Sequence, residues 1–296
     1  MAEQGTNQPT ELVGTVARDL VWLITGCSTG FGRELARAVL AHGYRAVVTA
    51  RNPDSVRDIA EGYGNRALVL ELDVTAAEEV RASVHVAERM FGRIDVLVNN
   101  AGIGYFGAIE ESDDYEVRRM FEVNVFGLAH MIQAVLPGMR QRRSGHIVNI
   151  SSIGGIRAFP AVGFYNATKF AVVGLSEALA LEVEPLGIKV TIVEPSGFRT
   201  DWAGRSANEA PSEIADYAET AGANRRNLRD RSGKQPGDPM RAAEAIIKAV
   251  DAADPPLHLL LGKAALSGAN WKLELLRRNF DAWRDTTIGA DFPEGE

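Results

Sequence analysis

LVWLITGCSTGFGRELARAVLAHG, residues 20–43, is the stretch that decides the fold. It opens on six apolar or small residues of strand length. TGCSTGFG, residues 25–32, follows, with glycines at 26, 30 and 32. GRELARAVLAHG, residues 32–43, then places Leu35, Ala36, Val39 and Leu40 on one helical face, and Gly43 stops the helix. A glycine turn between a strand and a helix lets backbone approach a pyrophosphate, and the helix N-terminus adds N–H donors and partial positive charge. The spacing departs from G-x-G-x-x-G, so the turn by itself also reads as a tight connection that holds no ligand.

The same alternation recurs outward from this unit. Strand-like runs stand at 46–50, 67–74, 94–100, 146–151, 188–195 and 257–262. Helical patterns lie between them. One opens at Asn52-Pro53, one spans 76–91 behind a Thr75 cap, and one runs from about Asp113 to Leu136, before Pro137. Two more cover 164–183 and the segment from Asp238-Pro239 to about 252. Strands apolar on both faces, alternating with helices, predict an α/β fold with a seven-stranded parallel sheet covered on two sides. No linker divides the chain, so residues 19–283 read as one domain. Residues 1–18 read as a flexible leader and 284–296 as a flexible tail, with a C-terminal amphipathic helix over 267–283. Residues 201–237 are polar and poor in strand formers, which predicts a substrate loop or lid.

Composition narrows the function. The chain has 296 residues and a net charge of −7, which argues against a nucleic-acid-binding surface. No run approaches a membrane span, and the N-terminus has no basic start followed by an apolar core. One cysteine, Cys27, excludes an intrachain disulfide framework and reads as a packing residue. The five histidines show no metal-ligand spacing, so no metal is expected. A cytoplasmic location fits these features. Arg225, Arg226, Arg229 and Arg231 read as a solvated face. Leu273, Leu276, Phe280 and Trp283 share a helical face expected to pack on the domain or on a second subunit.

Two motifs carry chemistry. In YNATK, Tyr165 and Lys169 are four residues apart and share a helix face. A nearby ammonium favours phenolate and lowers a tyrosine pKa from its usual value near 10, which makes Tyr165 a candidate general acid/base. A tyrosine and a lysine on one face are also ordinary surface residues. Ser151-Ser152 ends the fifth strand, at the sheet edge where parallel folds bind ligands, thirteen residues before Tyr165. Such a serine can also simply cap local backbone.

Taken together, TGCSTGFG, Asp73, NNAG (99–102), Asn124, Ser152 and YNATK resemble the short-chain dehydrogenase/reductase family in order and spacing over residues 20–200. The resemblance implies a Rossmann-like doubly wound fold and a catalytic tetrad of Asn124, Ser152, Tyr165 and Lys169. In it, Tyr165 exchanges a proton with the substrate oxygen, and Lys169 lowers its pKa and binds the nicotinamide ribose. Ser152 polarises the carbonyl, and Asn124 holds a water linking Lys169 to solvent. It further implies cofactor contacts from Gly26, Ser28, Thr29, Gly30, Phe31 and Gly32, from Asp73 and Val74, from Asn100, Ala101 and Gly102, and from Pro195, Gly197, Phe198 and Thr200. Ser196 stands where many members have glycine.

Cofactor choice turns on VVTAR (47–51). Ala50 stands where NAD-binding members place an acid, and Arg51 could pair with a 2′-phosphate, so NADP(H) is preferred, with NAD(H) as the alternative. Thr29 stands where many NADP-binding relatives carry a basic residue. Ile103, Tyr105, Phe106, Ile153, Ile156, Phe159, Phe164 and Trp202 read as an apolar pocket wall for a hydrophobic alcohol or ketone. The resemblance also implies self-association to a dimer or tetramer through the helices at 113–136 and 164–183. The alternatives are a dinucleotide-binding sensor or scaffold, or an epimerase or dehydratase on the same fold.

Overall fold

A computed structural model describes residues 19–292; the expected leader and the last four residues of the tail lie outside the described residues. The glycine-turn unit forms as β1 (Val21–Ile24) and α1 (Gly30–Ala41). Then follow β2 (Arg45–Ala50), a 3-10 turn into the short α2 (Arg57–Ala60), β3 (Ala67–Glu71), α3 (Ala77–Phe91), β4 (Val96–Asn99) and β5 (Gly104–Phe106). Next come α4 (Asp114–Phe121), a π-helical turn at 122–127, α5 (Leu128–Arg142), β6 (Gly145–Ile150), α6 (Gly163–Val183) and β7 (Ile188–Pro195). The chain closes with β8 (Ala207–Glu209), α7 (Ala223–Asp230), α8 (Pro239–Asp251), β9 (His258–Leu261), α9 (Lys263–Ala282) and α10 (Arg284–Ile288).

All seven expected strands join one parallel sheet in the order β3-β2-β1-β4-β6-β7-β9. The order reverses at β1, whose neighbours are β2 and β4, so a crevice opens at the C-terminal ends of β1 and β4. Apolar side chains cover both faces. Trp22, Ile24 and Val48 pack with Leu35, Val39 and Ile246 on one side. Leu23, Val47 and Leu97 pack with Val84, Met131 and Val172 on the other. That two-sided burial is why the strands read as nearly continuous apolar runs.

Several local expectations are corrected. Thr75 does not cap α3. Its N–H and hydroxyl both donate to Asp73 Oδ1, at 2.9 and 2.7 Å, and Ala76 occupies the cap position. The helical run does not end at Leu136: it passes through Pro137 to Arg142, because Val135 and Met139 on either side are buried against the sheet. This run, Asp114–Arg142, is long and apolar enough to cross a membrane by length and composition, and Leu128, Met131, Ile132 and Met139 are buried in the domain. The C-terminal helix starts at Lys263 rather than 267, and residues 284–288 of the expected tail are helical.

Residues 201–237 are not an irregular loop. β8 pairs in parallel with β5, and α7 follows. Arg229 fastens the segment. Its guanidinium donates to the carbonyls of Ala203 and Gly204 at 2.9 Å and of Ala207 at 3.0 Å, pairs with Glu209, and lies 4.7 Å over the Phe106 ring. Arg225 pairs with Glu213 and approaches Glu209 at 4.0 Å. Arg225 and Arg229 are therefore internal clamps rather than part of a solvated face, because the polar residues around them are their own partners, whereas Arg226 and Arg231 are exposed as expected.

Candidate active site

The crevice is built first from the glycine turn. Thr29 occupies the N-cap of α1 without a side-chain bond to its first turn, which leaves helix N–H groups available. Gly26, at φ +70°, adopts the left-handed backbone the turn requires. Gly32 permits a close approach: a Cβ there would lie 2.4 Å from Asn100 Nδ2 and 2.5 Å from the Gly26 carbonyl oxygen. Asn100 ties the turn to β4, its Nδ2 donating to the carbonyls of Thr25 at 2.8 Å and Gly26 at 2.9 Å. Thr25 Oγ1 in turn accepts from the backbone N–H groups of Asn100 and Ala101, each at 3.0 Å. Thr25, the first residue of TGCSTGFG, thus ties the turn to β4. Its place at the end of β1, beside the turn, was the available signal.

Residues far apart in sequence meet here. Gly30 faces Thr200, whose Cβ would lie 3.2 Å from a Cβ at position 30. Phe31 meets Phe198 edge-on, with centroids 5.0 Å apart. Gly197 accepts from the Gly237 N–H, and Ser196, which replaces the usual glycine, is held by the Leu261 carbonyl. Pro195 closes β7 at the same end of the sheet. Ser28 is exposed at the lip of the turn. Asp73 is half-buried, with Oδ1 spent on Thr75, and Val74 is buried against Gly127. Gly102 lies beside Asn124 Oδ1 and Lys169 Nζ. Arg51 is exposed at the end of β2 and has no ion pair among the described residues. Two residues before it, the Thr49 carbonyl accepts from the Cys27 N–H of the glycine turn at 2.8 Å. Cys27 itself is buried, and burial pushes its thiol up to about 12, so it is an inert packing residue.

The four expected catalytic residues converge at the ends of β4 and β6. Ser152 follows β6 and accepts from the Gly154 N–H at 3.0 Å. Gly154 stands beside both the Ser152 hydroxyl and the Tyr165 ring. Tyr165 and Lys169 share a face of α6, with Nζ 5.7 Å from the tyrosine ring centroid. Asn124 lies in the π-helical turn, a distortion frequent at functional sites. Its side chain is fully engaged, accepting from the Ile103 N–H at 2.8 Å and donating to the Ile103 carbonyl and to Thr168 Oγ1. Thr168 also donates to the Tyr165 carbonyl at 2.8 Å, so it links two tetrad members. Behind them, Asn99, Asn149 and Ser176 form a buried hydrogen-bonded chain across β4, β6 and α6. Asn99 and Thr168 stand inside the NNAG and YNATK motifs, whereas Asn149 and Ser176 have no sequence signal, because isolated polar residues in apolar runs carry no periodicity.

The electrostatics correct one expectation. Lys169 Nζ donates to the Ile150 carbonyl at 2.8 Å instead of to the phenol. Burial raises the Tyr165 pKa above its ordinary value, the neighbouring Ser152 hydroxyl acts the other way, and burial lowers Lys169 to about 8. Desolvation thus outweighs the lowering that the i, i+4 ammonium suggested. Trp202, from the segment after β7, covers it, with ring centroids 4.7 Å apart. Phe106, Val162 and Ala203 pack in the same cluster, with Ile103, Phe159 and Phe164 at its edge. The residues expected to line a pocket thus pack around the tyrosine, except that Ile153 and Ile156 pack toward α9 with Ala265 and Ala269.

The family model for short chain dehydrogenase matches residues 20–211. The chain belongs to the short-chain dehydrogenase/reductase family. It is 38% identical to Oxidoreductase BOA17 of Botryotinia fuckeliana over 91% of this chain and 98% of that one. It is 40% identical to a 3-ketodihydrosphingosine reductase of Bacteroides thetaiotaomicron over 81% of this chain and 87% of that one. Among solved structures, a short-chain dehydrogenase from Streptomyces avermitilis superposes with a TM-score of 0.87 at 43% identity, covering 93% of this chain and 99% of that one. An enzyme of the family from Burkholderia phymatum in complex with NAD gives 0.78 at 27% identity, covering 89% and 96%. An alcohol dehydrogenase from Thermococcus sibiricus complexed with 5-hydroxy-NADP gives 0.69 at 26% identity, covering 82% and 96%. The chain is an oxidoreductase of this family, with the seven-stranded parallel architecture of its relatives.

Proposed function

We propose that this oxidoreductase interconverts a hydrophobic ketone and its secondary alcohol with NADP(H), using Tyr165 as general acid/base. The observation that carries the reading is the convergence of Ser152, Tyr165 and Lys169 beside a glycine turn, under an apolar cover that includes Trp202. The Gly26–Gly32 turn, Asn100, Gly102 and the Pro195–Thr200 segment fit a dinucleotide, since glycines at 26 and 32 let the turn close against Asn100 and Ala101, where a Cβ would collide, and the N-terminus of α1 carries no side-chain cap. A bound nicotinamide supplies or accepts the hydride. The Ser152 hydroxyl donates a hydrogen bond to the substrate carbonyl oxygen. Tyr165 gives that oxygen its proton during reduction and takes it back during oxidation. The Lys169 ammonium holds positive charge behind the tyrosine as its proton leaves.

Arg51, exposed and without an ion pair among the described residues, favours a 2′-phosphate and therefore NADP(H), with NAD(H) as second choice. Trp202, Phe106, Phe159 and Phe164 favour an apolar substrate, as does similarity to a reductase named for a long-chain keto lipid. Exposed Phe126, Phe170, Leu175 and Leu181 on the 122–127 turn and α6 favour self-association through these helices.

The test is NADPH oxidation, followed by absorbance, with a panel of apolar ketones. Tyr165→Phe is expected to lose at least about a hundredfold in kcat while still binding NADPH. A substantial rate without the phenol, or isomerised product with no net redox change, would defeat the reading. The sensor or scaffold alternative predicts NADPH binding with no ketone turned over.

A further inference from the structure

We propose that Arg157 receives an anionic group at the far end of the substrate, so that the substrate is an apolar ketone or secondary alcohol ending in a carboxylate. This rests on the reading just given and narrows its substrate class.

Arg157 sits one short turn beyond Ser152. Ser152 starts a 3-10 turn at 153–155, and the Arg157 N–H donates back to the Ile153 carbonyl at 2.9 Å. The guanidinium carbon lies close to two aromatic rings, 4.1 Å from the centroid of Trp271 on α9 and 5.2 Å from that of Phe159. The residue is half-buried beside these rings, a cation–π arrangement that does not use the guanidinium N–H groups. Among the described residues its guanidinium makes no hydrogen bond and has no carboxylate within ion-pair distance. The half-buried arginines elsewhere behave differently. Arg33 and Arg229 are each held by a carboxylate and a backbone carbonyl. A stacked guanidinium presents a planar fork that matches a carboxylate.

Phe159 connects this fork to the chemistry. Phe159, one of the two rings on Arg157, also packs at the edge of the cluster that contains Tyr165 and Trp202. Its carbonyl accepts from Asn166 Nδ2, which anchors it to the residue after Tyr165. A substrate with its carbonyl at Tyr165 and its body along Phe159 therefore brings its far end to Arg157. A purely structural arginine, clamping α9 to the 153–157 turn, would serve every substrate alike, and this separates the two roles.

The experiment compares methyl-ketone carboxylic acids of increasing chain length with their methyl esters in the NADPH assay. At one chain length the wild type is expected to favour the acid by about tenfold or more in kcat/KM, and the preference is expected to shrink as salt is raised. Arg157→Met and Arg157→Gln are expected to abolish the acid-to-ester ratio, mainly through KM, and Arg157→Lys to keep part of it. A wild type without acid preference overturns the proposal, as does an Arg157→Met that lowers acid and ester equally. If these variants do not fold, the wild-type ratio and its salt dependence decide. Esters and neutral ketones turned over with no acid preference would sink this inference alone, whereas no ketone turned over at all would sink the underlying function.

Discussion

Gly32→Ala tests whether the glycine turn is a close-packed cradle. The added Cβ would stand 2.4 Å from Asn100 Nδ2 and 2.5 Å from the Gly26 carbonyl oxygen. Comfortable carbon contacts begin near ~3.5 Å, so roughly 1 Å must be found in two directions. The Asn100 amide can turn aside only by giving up its bonds to the Thr25 and Gly26 carbonyls, at about 1 kcal/mol each. The Gly26 carbonyl is backbone in a tight turn, and displacing it costs about 1–3 kcal/mol more. The expected loss is therefore about 3–5 kcal/mol, a large share of the ~5–15 kcal/mol that holds a typical domain together. Urea unfolding followed by the fluorescence of the four tryptophans measures it, and an NADPH titration measures the cradle. In an Asn100→Ala background the same substitution is expected to cost about 2 kcal/mol less, since both Asn100 bonds are already absent and only the carbonyl obstacle remains. A Gly32→Ala protein within about 0.5 kcal/mol of wild type that binds NADPH normally would refute the reasoning.

Other outcomes follow from single features. His146 is buried on Thr191 Oγ1, and burial, with the Lys189 charge, lowers its pKa from 6.5 to about 4. A depressed folded pKa means the neutral ring stabilises the fold above pH 6.5. That stability is lost as pH falls toward 4, by up to about 3 kcal/mol. His146→Gln is expected to flatten this part of the stability–pH curve, and wild-type and variant curves that stay parallel would remove the assignment. Arg51→Ala is expected to raise KM for NADPH by about tenfold and to leave KM for NADH nearly unchanged, whereas equal effects would reject the 2′-phosphate role. Arg229→Met removes the bonds to Ala203, Gly204 and Ala207, and is expected to speed proteolysis within 201–237 and to raise the ketone KM. Unchanged cleavage would show that the segment is held by other contacts.

What was legible in the sequence is what short-range geometry controls. The run 20–43 specified β1, the turn and α1, because strand length, glycine spacing and helical period are local properties. The i, i+4 spacing put Tyr165 and Lys169 on one face of α6, and apolar runs located all seven strands. Tertiary structure decided the rest. It brought Phe31 to Phe198 and Trp202 onto Tyr165, and it ordered 201–237 around Arg229, whose partners lie 20 or more residues away along the chain. It also set the protonation of the site. Spacing alone predicted a phenol made acidic by an ammonium, but burial raises the phenol pKa and lowers the lysine to about 8. Desolvation depends on everything packed around a group, and no local pattern of residues encodes that.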